Sequence, residues 1–161
     1  MPDTKTTSRR ATTAPKGVNV WTDEERAAMH ASARERKASG GRKAADERAE
    51  GLADLRESVA KMPADDRAMA ERIHEIVTSA EPSLVPKTYY GMPAYARPGK
   101  DGKVICFFKP KSKFKVRYST FGFQPDARLD DGEMWPTEFA VIKLTPAVEA
   151  KIAQLAKKAA G

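Results

Sequence analysis

From Asp46 onward, apolar residues recur at intervals of three and four. Leu52, Leu55, Val59 and Met62 form one stripe, and Met69, Ile73, Ile76, Val77 and Ala80 form a second. That spacing stacks side chains on one face of an α-helix. Pro63 ends the first helix, Glu81-Pro82 the second, and Asp65 or Asp66 is placed to cap the second. Joined by a short turn, the two are expected to pack as an antiparallel pair. From Leu84 the period changes. Val85 to Tyr90 reads as a strand, and Pro98 to Gly102 as a turn. Val104 to Phe108 is an unbroken apolar run, the pattern of a central strand buried on both faces. Lys113 to Tyr118 alternates charge with hydrophobe, which predicts a half-buried strand. Glu138 to Leu144 reads as the last strand. Thr145-Pro146 then open a helix as N-cap and first residue, with Val148, Ile152 and Leu155 on its apolar face and Lys157 and Lys158 at its negative end. Helices, then strands, then one closing helix predict an α+β domain with an antiparallel sheet packed against helices.

Ahead of Asp46 the pattern thins. Thr22 and Glu25 make a capping box, and Asp23, Glu24 and Glu25 suit the positive end of a helix dipole. The helix they open runs to about Lys37 and is mostly Ala, Arg and Glu. Trp21 and Met29 are its large apolar residues, and Ser39-Gly40-Gly41 ends it as a flexible joint. Residues 1–18 hold too little apolar bulk to offset the entropy of ordering. The expected division is a disordered basic leader over 1–18, an accessory helix and linker over 19–45, and the α+β domain over 46–161.

Between the helical and the strand-like halves stands Tyr89-Tyr90-Gly91-Met92-Pro93-Ala94-Tyr95. Gly91 gives the backbone freedom and Pro93 removes a donor, so the stretch is expected to kink rather than run on as a central strand. Either Tyr89 or Tyr90 should enter the core. The other, with Tyr95 and the nearby Trp135, should line a cleft for a small ligand or peptide. Tyr89, Tyr90, Tyr95 and Trp135 are therefore the candidate ligand-binding set.

Composition narrows the classes. With 161 residues and 40% apolar content the chain can bury a core without staples. It has no run of the roughly 18 apolar residues that cross a bilayer, and no apolar segment follows its N-terminal charges. A cytoplasmic, bacterial-type protein without a membrane partner is the expectation. The net charge is +7, but Met1 to Ala45 carries ten Lys and Arg against five Asp and Glu, while Asp46 onward carries nineteen against seventeen. The excess sits ahead of the domain, which weakens nucleic acid as a partner. Lys113, Lys115 and Arg117 would nevertheless share one strand face and form an anion-binding surface, unless they are edge-strand cations that block aggregation.

No phosphate loop, dinucleotide fingerprint or His-Glu-x-x-His pattern occurs. Cys106, the single cysteine, lies inside the five-residue apolar run, and His30 and His74 lie on separate helices. A buried thiol is inert, so a Cys106–His74 pair carries little weight and no catalytic residue is assigned. Asp130, Asp131 and Glu133 gather hard oxygen ligands in a turn, the donor type that Fe(II), Mg and Mn accept, although Asp-Asp-Gly is also ordinary turn chemistry.

Tyr90 to Tyr95, Val104 to Phe108 and Leu129-Asp130-Asp131-Gly132-Glu133-Met134-Trp135-Pro136 together resemble the YdhG-like domain family. This is a bacterial group of unknown function, some of whose members are described as frataxin-like intracellular iron chaperones. The resemblance runs from Trp21 to the C-terminus. It implies a compact frataxin-like α/β sandwich with an extra N-terminal helix. It also implies iron as the bound metal, with Asp130, Asp131 and Glu133 as candidate ligands and an iron-acceptor protein as partner.

Overall fold

The computed structural model describes residues 22–38, 44–99 and 101–161. The 1–18 leader, Trp21 and the Ser39-Gly40-Gly41 joint lie outside them. The described elements are α1 (Asp23–Ala38), α2 (Ala44–Ala60), α3 (Ala64–Ala80), β1 (Val85–Tyr89), β2 (Met92–Ala96), β3 (Val104–Lys109), α4 (Lys111–Phe114), β4 (Ser119–Phe123), β5 (Glu138–Val141) and α5 (Pro146–Ala160). The five strands pair antiparallel in chain order, β1-β2-β3-β4-β5. The α+β class read from the sequence is the observed one. Among the described residues no helix is long and apolar enough to cross a membrane.

Helix ends follow local chemistry at two of the expected places. At α1 the capping box is complete: the Thr22 amide donates to Glu25 Oε2 at 2.9 Å and the Glu25 amide to Thr22 Oγ1 at 3.1 Å. At α5 the Thr145 hydroxyl accepts from the Val148 amide at 3.3 Å, and Pro146 is the first residue. At α3 neither Asp65 nor Asp66 caps. Pro63 takes the N-cap position without a side-chain bond, because the helix begins at Ala64, two residues earlier than a cap at Asp65 would set it. Asp66 is then carried inward to another partner.

The sheet has two packed faces. On the inner face Tyr95, Cys106, Phe108, Phe121 and Phe123 meet Leu55 and Val59 of α2, Ile73 and Val77 of α3, and Ile152 and Ala156 of α5. Here α2 lies against β1 and α3 against α5. The predicted stripes are therefore both core-facing, but each finds its main partner elsewhere than in the other helix. On the outer face Met92, Ala94 and Phe107 form a smaller cluster with Tyr89, Val104 and Phe114 against it. Ile105 to Phe108 are all buried, as a run apolar on both faces demands. The Phe107 ring lies on the Gly122 backbone: a Cβ built at Gly122 would stand 2.3 Å from Phe107 Cζ. α1 crosses the tip of the β1–β2 hairpin, burying Ala28 and Ser32, and Glu24 on it pairs with Lys115.

Three expectations are corrected. The tyrosine stretch does turn, as a two-residue hairpin with Tyr90 at φ 50° and Gly91 at φ 75°, the mirror-image turn that suits twisted strands, but the strand resumes at once after it. Pro93 therefore sits inside β2, an interior strand. Tyr89 and Met92 close the turn, so ladder alternation points the Pro93 nitrogen away from β1 and toward β3. Pairing with β3 starts only at Ala94, opposite Phe107, so the missing donor interrupts neither ladder. Second, Lys113 to Tyr118 is not a strand. Pro110 precedes a single helical turn, Lys115 follows it at φ 52° and ψ 47°, and β4 begins at Ser119. Third, the last strand ends at Val141, short of Leu144.

Candidate functional site: a cleft at the hairpin tip

The turn between β1 and β2 is held from two sides. Ser58 on α2 donates its hydroxyl to the Gly91 carbonyl at 2.5 Å. Lys113 on α4 donates from Nζ to the Tyr90 carbonyl at 2.8 Å. Both turn carbonyls are thereby satisfied, one from α2 and one from α4. Between these helices, the turn and α1 lies a cleft of about 540 Å³.

Each wall has a clear origin. Asp54 and Ser58 stand four residues apart on α2 and share a face with Glu57, the helical spacing of neighbours, and Lys61 and Met62 follow in the turn after the helix. Lys61 pairs with Glu57 at 2.9 Å. Ala27 and Ala31 of α1 and Pro63 and Pro110 supply apolar surface. The start of α3 contributes Asp66, whose side chain is 2% exposed and accepts from the Ser112 amide of α4 at 3.1 Å. Thr88 and Ser112 complete the polar lining.

Beneath the sheet, His74 Nδ1 and the Tyr95 hydroxyl share a hydrogen bond of 2.9 Å, and the two rings stack with centroids 5.8 Å apart. Burial holds the His74 imidazole below its ordinary pKa, the Arg56 cation adds to this, and Glu75 opposes it. Burial raises the Tyr95 hydroxyl, with Cys106 adding to the effect, and it raises the Cys106 thiol as well. Cys106 is thus a neutral core residue, as an apolar run implies, and His74 is committed to a tyrosine.

The structure separates the sequence-selected residues. Tyr95 is fully buried on the inner face, where Trp135 also packs. Tyr89 packs on the outer face beside Phe107, with ring centroids 5.9 Å apart, and meets Tyr90 edge-on at 4.6 Å. Of the tyrosines it is Tyr95 that enters the core, because the turn at Tyr90-Gly91 resets the alternation on which the choice between Tyr89 and Tyr90 rested. The basic trio is likewise dispersed. Lys113 reaches the turn, Lys115 pairs with Glu24 at 2.5 Å, and the Arg117 guanidinium lies 5.3 Å over the Tyr118 ring. The Glu24–Lys115 bond lowers the pKa of the one and raises that of the other. Asp130, Asp131 and Glu133 lie exposed in the connection between β4 and β5. Among the described residues no group of three or more His, Cys, Asp or Glu is placed to hold a metal ion.

The cleft residues Asp54, Ser58 and Ser112 had no motif to mark them, and Asp66 carried only the signature of a helix cap. A second, smaller hollow of about 260 Å³ lies on the outer face, between Met29 of α1 and Met92, Phe107 and Phe114. No family model, curated protein or solved structure matches this chain. The likeness to the YdhG-like family therefore rests on the quoted motifs.

Proposed function

We propose that this chain is a non-enzymatic binding domain that takes a small molecule in the cleft at the hairpin tip. The observation that supports this reading is a buried carboxylate, Asp66, in the wall of a cleft of about 540 Å³. Small-molecule sites measure roughly 300–1,000 Å³ and combine an apolar lining with a few placed polar groups. Carrying a charge out of water costs several kcal/mol unless partners compensate it. A carboxylate held there on one protein hydrogen bond is a group set aside for a ligand. The Ser58 hydroxyl in the cleft donates to the Gly91 carbonyl rather than to a base, so binding is favoured over turnover.

The test is a thermal-shift screen of the whole chain against metals, nucleotides and metabolites, followed by amide NMR mapping of each hit. Hits are expected to move the amides of Ser58, Asp66 and Ser112. A screen in which every hit maps elsewhere removes the cleft from consideration. Iron, the ligand the family resemblance implies, belongs in the same screen under anaerobic conditions. Asp130→Asn combined with Asp131→Asn is its control.

A further inference from the structure

The polar groups of the cleft are not balanced in sign. Asp66 accepts one hydrogen bond, from the Ser112 amide, and no second protein donor reaches its carboxylate among the described residues. An ionised carboxylate accepts about four. The rest of its capacity is unfilled, although the residue is only 2% exposed and lines a cavity large enough for a small organic molecule. Asp54, on the α2 wall, has no hydrogen-bond or ion-pair partner among the described residues. Of the remaining charges, Glu57 pairs with Lys61, and the Lys113 ammonium is held at the turn by its bond to the Tyr90 carbonyl. Asp66 stands in the first turn of α3, whose positive end compensates part of its charge. That compensation does not extend to Asp54, at the middle of α2. What the cleft offers an incoming molecule is a buried acceptor, a second carboxylate, and apolar surface from Met62, Pro63 and Ala31.

We infer that the ligand of this cleft is a small organic cation: an ammonium or guanidinium head bound at Asp66 and Asp54, carried on a short apolar chain. The inference rests on the cleft being the binding site and specifies what it accepts. A charged donor satisfies a buried carboxylate more strongly than a neutral one. An anionic head would meet two carboxylates and gain only a lysine whose ammonium is already engaged with the turn.

The test titrates the full chain with n-butylammonium, butan-1-ol and butyrate, probes of one chain length and three charges, followed by amide NMR. Butylammonium is expected to shift the Ser58, Asp66 and Ser112 amides in a saturable way, with butyrate inert. Asp66→Asn keeps an acceptor for Ser112 while removing the charge, and Asp54→Asn removes the charge at an exposed position. Each should weaken butylammonium binding by about tenfold or more, the scale of a lost charged hydrogen bond. Circular dichroism checks that both variants fold, and if Asp66→Asn does not, Asp54→Asn decides. Equal butylammonium affinity in the folded variants overturns the assignment. If butyrate or butan-1-ol binds the cleft as tightly as the amine, the cleft stands as a site and its cation preference falls. If none of the three moves the cleft amides, the cation assignment falls; if the broader screen leaves them unmoved as well, the cleft falls with it.

Discussion

Replacing Tyr95 by phenylalanine removes one oxygen atom from beneath the sheet and leaves the ring where it packs. That oxygen shares a 2.9 Å bond with His74 Nδ1. The bond contributes roughly 0.5–1.5 kcal/mol. His74 is only half-buried, so water reaches part of the vacated nitrogen and the loss should stay near about 1 kcal/mol. Removing the whole ring is a different perturbation. Tyr95 is 0% exposed, and Tyr95→Ala leaves a cavity against Cys106 and Phe108 that should cost about 3–5 kcal/mol. Tyr90 is 38% exposed, and Tyr90→Ala should cost about 0.5–1 kcal/mol, chiefly its edge contact with Tyr89. Urea unfolding of the three variants measures all of this. A fourth measurement isolates the bond, because Tyr95→Phe in a His74→Ala background should cost almost nothing further. Equal losses for Tyr95→Phe with and without His74 would show that the hydroxyl acts through something else. Tyr90→Ala outweighing Tyr95→Ala would refute the assignment of Tyr95 as the core ring.

Two more predictions concern His74 and the cap of α1. His74 is held below its ordinary value of 6.5, so the unfolded chain takes up a proton that the folded one resists. Its contribution to stability is therefore complete above that pH and is lost as pH falls through the window beneath it, which urea midpoints between about pH 7.5 and pH 5.5 should show and His74→Gln should flatten. Thr22→Ala removes one half of the α1 capping box and should weaken that helix by about 1 kcal/mol. Hydrogen exchange should then quicken across α1 and leave β3 unchanged, and a uniform change across both would mean that α1 folds as one unit with the sheet.

The elements read most easily from the sequence are those whose cause is local. The hydroxyl caps of α1 and α5, the apolar stripes of α2 and α3 and the buried run of β3 each follow from residues within a few positions of one another. The failures are places where a local rule has a geometric exception. Pro93 argues against a strand until it is known which way its nitrogen points, and that depends on the turn at Tyr90. A tyrosine in the left-handed region is an uncommon way to make such a turn, where asparagine or aspartate is the usual signal. The charge alternation from Lys113 to Arg117 mimics a strand but spans a helical turn, a left-handed residue and a bend. The cleft was illegible for another reason. Its walls come from α1, α2, α3, the hairpin and α4, and no stretch of sequence contains more than a fragment of it. Asp66 looked like a cap because the sequence shows its distance from Pro63 and conceals its distance from Ser112.

The overlap of Phe107 with Gly122 ties the histories of two positions together. Any side chain at 122 must occupy space the ring already fills, 2.3 Å from its Cζ. A larger residue at 122 therefore requires a smaller one at 107, and the reverse change reopens room only for glycine. Drift on this face of the sheet proceeds in paired steps, with Gly122→Ala reachable after Phe107→Leu and blocked before it. A deep mutational scan in both backgrounds would read that order as a sign change in the effect of a single substitution.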